Sequence, residues 1–173
     1  MTTLENYVPP KTKVYKIPAD KLTQASDLCL FSALNFWQSA NYVREKGALH
    51  IAKGLLLLAI EELGKIVLLR EAHGEQDRDY FSVDEKSFKS HKLKLEKGRK
   101  LFAKWGLDLD ELEIPLTKEE RERLWFVSWN EDTQEFERRL TGPTIVNIDA
   151  FQEMVRQGWN RMRQEEKFRL SKN

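Results

Sequence analysis

Cysteine is almost missing from this chain. Cys29 is the single one among 173 residues, which excludes an intrachain disulfide and any thiolate metal cluster and fits a reducing compartment, so a cytoplasmic location is expected. Net charge is missing too: charged residues make up 33% of the chain, yet the formal balance is +1. No global field draws in a polyanion, and any RNA contact would have to come from a local patch. The residues from Met1 to Lys16 hold no apolar h-region, and the Ile51 to Leu69 stretch is interrupted by Lys53, Glu61, Glu62 and Lys65. Neither a leader nor a membrane span is expected. A Gly-rich phosphate loop, a serine nucleophile elbow and a zincin motif are all lacking, as are the paired Glu-x-x-His motifs of a di-iron bundle. These gaps remove the support for nucleotide hydrolysis, acyl transfer and metalloprotease chemistry, and no metal or cofactor is expected. Finally, no segment sustains period-two alternation between hairpin turns, and no internal repeat occurs. A single all-α domain, an antiparallel bundle of about five helices with no sheet, is the reading that remains.

The helices follow from apolar spacing and stop signals. Residues 1–17 read as an extended arm around Pro9 and Pro10, residues 18–168 as the bundle and 169–173 as a tail. Leu22, Cys29, Ala33, Phe36, Ala40 and Val43 recur at three- and four-residue steps, which predicts a first helix over 19–46, stopped by Gly47. A second helix over 48–73 is apolar around almost its whole circumference, as expected of a helix surrounded by others. Ser82-Val83-Asp84-Glu85 has the capping-box pattern, predicting a third helix from there to Gly106. Thr117-Lys118-Glu119-Glu120 repeats that pattern and predicts a fourth helix that frays near Asn130. After Gly142-Pro143, the series Ile148, Phe151, Val155, Trp159 and Met162 predicts a fifth, running into a charged end from Arg163.

Polar residues inside the second helix carry the most information, because a buried ionised group costs several kcal/mol unless it is paired. At about 100° per residue, Glu62 shares an arc with Ile51, Leu55, Leu58, Ile66 and Leu69, with Lys65 close beside it. Glu61 falls on a flank with Gly54, near Gly64, where a second backbone can approach closely, and is placed to pair with Lys65 at i, i+4. On the third helix, His91, Lys94 and Gly98 share the arc of Phe88, Leu95, Leu101, Phe102 and Trp105. Lys89, Lys92, Lys97, Lys100 and Lys104 form the opposite, solvated face. If the two helices pack antiparallel, Glu62, Lys65, His91 and Lys94 meet, and that set offers acid–base chemistry near neutral pH with cationic stabilisation of an anion. The plainer alternative is a structural ion-pair set that fixes packing.

Ala33-Leu34-Asn35, the run Leu58-Ala59-Ile60-Glu61-Glu62-Leu63-Gly64-Lys65 and Ser90-His91-Lys92-Leu93-Lys94 resemble the AbiV family of abortive-infection proteins. The later block Arg121-Glu122-Arg123-Leu124-Trp125-Phe126-Val127, followed by Pro143 to Met162, is similar to that family's closing part. Here Trp125 and Phe126 stand where the family's tyrosine is expected, and Ser128 replaces its aspartate. The resemblance spans about 22–162. It implies a helical domain of the HEPN superfamily and a role in defence against phage, in which growth or translation of the infected cell is arrested by a latent toxin acting through protein contacts. It also implies a homodimer, with a phage or host protein as trigger. Many HEPN domains are ribonucleases that use Arg-x(4–6)-His, so RNA cleavage by the His91, Glu62, Lys65 and Lys94 set is the alternative function. Arg44 to His50 has that motif's spacing but straddles the turn between the first two helices, so this pair is a second choice. Asn35, Glu61, Gly64, Trp125 and Trp129 are expected to serve packing or an interface. Among the other histidines, His73 is expected to contact a helix end.

Overall fold

The computed structural model describes residues 13–74, 79–107, 128–130, 135–137 and 148–170. Five helices and two short antiparallel ribbons lie among them: β1 (Val14–Pro18), α1 (Lys21–Glu45), α2 (Leu49–Gly74), β2 (Tyr80–Asp84), α3 (Glu85–Lys89), α4 (His91–Lys104), β3 (Ser128–Asn130), β4 (Glu135–Glu137) and α5 (Ile148–Leu170). α1 and α2 are joined by a tight turn at Lys46 to Ala48, where Gly47 adopts φ 79°. That left-handed conformation is costly for any residue with a Cβ, which is why the stop signal is glycine.

α2 is the centre of the bundle. Leu56, Leu57, Ala59, Ile60, Leu63, Ile66 and Leu69 bury side chains around its whole circumference, and α1, α4, α5 and β2 all pack on it. α1 supplies Leu22, Cys29, Leu30, Ala33 and Ala40 to the core, while Phe36 and Val43 are partly buried against it. α5 supplies Phe151, Val155 and Met162, in the register its apolar spacing predicts. It runs antiparallel to α1, as three ties show: Trp159 Nε1 donates to the Leu30 carbonyl at 2.9 Å, Trp37 Nε1 to the Gln152 carbonyl at 2.9 Å, and Arg44 pairs with Asp149.

α4 crosses α2 at two glycines. A Cβ at Gly64 would lie 1.9 Å from the Lys94 carbonyl oxygen, and one at Gly98 would lie 2.7 Å from the Ile60 carbonyl oxygen. The two backbones therefore approach closely, with the Ile60 side chain also lying against Gly98. The spacing places Gly98 on the core arc and Gly64 at a point of close approach; the partner of both is the other helix. Phe102 then reaches over to lie on Gly158 of α5.

Three expectations need correction. The predicted third helix is broken. Ser82 lies within strand β2, which pairs with β1 from Val14 opposite Asp84 to Pro18 opposite Tyr80; Asp84, two residues later, caps α3 by accepting from the Lys86 and Ser87 amides. Ser90, at φ −68° and ψ 107°, then interrupts the helix and caps α4 by accepting from the Leu93 amide. The reason is burial: Phe81 and Val83 alternate inward beneath α2, and that period-two contact outweighs the capping box at Ser82. The sheet-free reading is corrected by the same ribbon and by β3–β4, in which Trp129 stands opposite Phe136. Trp129 is thus on a strand rather than near the end of the predicted fourth helix; aromatic residues favour the pleated surface. The start of the predicted fourth helix, and Trp125 with it, lie outside the described residues.

Candidate functional site

Glu61 is the buried glutamate of α2. Its side chain is 3% exposed, with Oε2 2.6 Å from His91 Nδ1 and 3.4 Å from Lys94 Nζ. This reverses the expected assignment, in which Glu62 faced inward toward those two residues. Because α2 is apolar all round, a helical wheel fixes angles but not neighbours; the crossing at Gly64 selects which flank meets α4, and that flank contains Ile60 and Glu61. Glu62 lies at the edge, 14% exposed, and accepts from Lys65 Nζ at 2.5 Å. Lys65 therefore pairs at i, i+3 with Glu62 and not at i, i+4 with Glu61. The Lys65 ammonium also sits 5.9 Å from the centre of the Phe88 ring.

A triad and a separate pair result rather than one four-residue set. The triad, Glu61 with His91 and Lys94, joins α2 to α4 at the start of the latter; the pair, Glu62 with Lys65, stays on α2. Lys94 is buried, with its side chain 8% exposed, so Glu61 compensates a cation inside the helix crossing. His91 differs: its side chain is 58% exposed, so it sits at the mouth of the crossing and not within the core arc expected of it. An ionised carboxylate can only accept, so with Glu61 in that form the contact is a donation from His91 Nδ1, and Nε2 is the ring nitrogen turned away from Glu61. Cys29 lies within the electrostatic reach of Glu62, Lys65 and Lys94. Burial, with Glu62 adding to it, pushes its thiol up to about 12, which leaves it an inert core group.

The second-choice residues are placed differently. Arg44 ends α1 and is engaged by Asp149 and by Asn41 Oδ1 at 3.3 Å. That same Asn41 oxygen accepts from Gln152 Nε2 at 2.9 Å, so Arg44 belongs to a polar seam that fastens α5 to α1. His50 lies beyond the Gly47 turn in the first turn of α2. His73, expected at a helix end, packs its ring edgewise on Phe81 with centroids 5.7 Å apart. Asn35 is exposed on α1.

One cluster was not anticipated. Arg70 on α2 donates from Nε to Glu166 Oε1 at 2.8 Å and from Nη1 to Glu165 Oε2 at 3.0 Å, while Trp105 donates to Glu165 Oε1 at 3.0 Å. Glu166 is 3% exposed. The signal for it was in the sequence: Glu166 continues the α5 series Val155, Trp159 and Met162 by one more turn, although its setting among charged residues reads as a solvated end. Among the described residues, no group of His, Cys, Asp and Glu is arranged to hold a metal ion, and no helix is long and apolar enough to cross a membrane.

No curated protein and no solved structure matches the chain. The family model HEPN_AbiV, described as AbiV, matches residues 21–165, a range that takes in α1, the Glu61 to Lys65 block of α2, the His91 to Lys94 segment of α4 and most of α5. With its helices packed around that central block and the match running across most of its length, the chain belongs to the AbiV family of HEPN domains, a family of abortive-infection defence.

Proposed function

We propose that this protein carries out its abortive-infection role by arresting translation or growth of the infected cell as a cytoplasmic latent toxin, acting through protein contacts as a homodimer and released by a phage or host protein. The observation that supports this reading is that the ionisable residues of the family block close on each other. Glu61 is sealed against Lys94 and His91, and Glu62 is taken up by Lys65. The Glu61 contacts to His91 and Lys94 tie α4 to α2, and the Glu62–Lys65 pair stays within α2, so the block's first service is to shape the domain that a partner meets. Purified protein is expected to leave RNA intact at protein-to-RNA ratios well below one, and His91→Ala is expected to arrest growth as wild type does. Catalytic RNA cleavage that disappears in His91→Ala, with the fold retained, would overturn it.

One observation favours a second reading, ribonuclease activity. A buried carboxylate orienting an exposed imidazole through Nδ1 is the arrangement by which a histidine is readied as a general base. In that reading His91 is the catalytic residue facing a ribose hydroxyl, and Glu61, in place of the expected Glu62, is its positioning residue. Glu61→Gln would then shift the pH profile of cleavage and not only lower its rate.

A further inference from the structure

From Leu28 to Val43 the chain carries no charge on any residue, although a third of its residues are charged. The inner side of this part of α1 is accounted for by Cys29, Leu30, Ala33 and Ala40, all buried. Among the described residues, the outer side is not. Leu28, Phe31 and Tyr42 are 61%, 63% and 63% exposed, and Asn35 and Gln38 are exposed between them. A helix face that meets only water ordinarily carries charged residues. These five positions instead step by three, four, three and four, the spacing of a seam that packs against another helix. α1 thus has two seams, one spent on the core and one turned outward.

We infer that the outer seam of α1 is where a second copy of this chain docks, α1 against α1 across a two-fold axis. Such an axis sets one patch against itself, so any charge on the patch tends to face its own kind. The five seam positions carry no charge and are free of that penalty, with the Lys46 ammonium over the Tyr42 ring only at the seam's end; a partner of different composition would ordinarily be selected by complementary charges, which these positions do not offer. The polar residues fit the same conclusion. Whether the two helices run parallel or antiparallel in heptad register, Asn35 and Gln38 meet amides, and Phe31 and Tyr42 meet aromatic rings. An amide donates and accepts, so it satisfies another amide, and a polar residue within a seam fixes register.

The surroundings of Phe31 supply a receptor for a side chain. A groove of about 310 Å³ lies between α1 and α5; Leu30, Phe31, Leu34 and Trp159 form its apolar part and Asp27, Arg163, Glu166 and Lys167 its charged part, and an aromatic ring from the partner's seam would enter the apolar part. The seam extends about 21 Å at 1.5 Å per residue. Lys21 and Asp27 at one end and Glu45 and Lys46 at the other are exposed and supply the polar rim that interfaces carry. This inference rests on the homodimer reading above and names the face that makes it.

Sedimentation of the full chain tests it. Wild type is expected to be a dimer, and Phe31→Glu and Tyr42→Glu, each at an exposed position, are expected to weaken dimerisation by about 100-fold or more while keeping wild-type circular dichroism. Lys92→Glu, on the exposed side of α4, is expected to leave the dimer intact. A wild-type dimer unaffected by Phe31→Glu and Tyr42→Glu would overturn the assignment of this face while leaving the homodimer reading standing. A wild type that stays monomeric at the highest concentration reached would overturn both.

Discussion

At Gly64 a single hydrogen atom separates α2 from the backbone of α4. Replacing it by alanine sets two effects against each other. Alanine favours a helix interior over glycine by about 1 kcal/mol, but the new methyl would lie 1.9 Å from the Lys94 carbonyl oxygen, and backbone atoms on a packed helix cannot rotate away as a side-chain end can. Overpacking of this kind costs about 3 kcal/mol, so the clash prevails. Gly64→Ala is expected to lower unfolding free energy by about 2 kcal/mol net in urea denaturation; an unchanged midpoint would show that the helices separate easily. The glycine was legible from sequence as a point of close approach, but the glutamate beside it was not assigned correctly. Glu61 and Glu62 are neighbours on a helix that is apolar on every side, and only the location of the crossing decides which of them is sealed. That location depends on Gly98, thirty-four residues away, and no periodicity within α2 encodes it.

Among the elements, α1, α2 and α5 were readable because each is long, periodic and bounded by a strong signal, Gly47 between the first two and the Gly142-Pro143 break before the last. β2 was not. Its inward residues are only Phe81 and Val83, too few to establish alternation, and the serine between them begins a pattern that ordinarily caps a helix. The true cap, Asp84, was inside the same four residues. α5 shows how the surface of an element responds to pH. Arg156, bonded to Glu153 and assisted by Gln157, holds the Glu153 carboxyl down at about 2, against 4.5 for an ordinary glutamate. Since the folded value is depressed, the pair's contribution is fully present above the unfolded value and is lost as pH falls from about 4.5 toward about 2. Both side chains are 46% exposed, so the effect is small. Glu153→Gln is expected to reduce the acid-induced loss of helical ellipticity across that window while leaving the signal at pH 7 within error of wild type. An identical acid profile would show that the pair does not couple to the helix.

For the whole molecule, the ties that matter join residues distant in sequence. Arg70 and Glu166 bring α2 and α5 together across 96 residues, and Glu165 receives Trp105 from α4 at the same place. Neither the arginine nor the glutamate announces this by itself; each continues an apolar arc by one turn, and the pair is recognisable only when the arcs are placed face to face. Because Glu166 is 4% exposed at its side chain, removing its partner leaves an uncompensated buried charge, which costs about 3 to 5 kcal/mol. Arg70→Ala is therefore expected to destabilise the protein by that amount in thermal or urea unfolding. The double variant Arg70→Met with Glu166→Leu removes both charges and refills the volume, and it is expected to recover most of the loss. A double variant as unstable as the single one would mean that shape, not charge, holds the cluster.

The joint at Lys46 and Gly47 has a further consequence. It is exposed, and the segments on its two sides are fastened independently of it: the first through the β1–β2 ribbon and the Trp37, Arg44 and Leu30 ties to α5, the second through the α2 contacts with α4 and α5. Covalent continuity at that point is therefore expected to be dispensable for holding the assembled domain together. Division there into 1–46 and 47–173 is expected to give fragments that reassemble, so that folding becomes conditional on bringing two pieces into contact; co-expressed fragments that fail to co-purify would show otherwise.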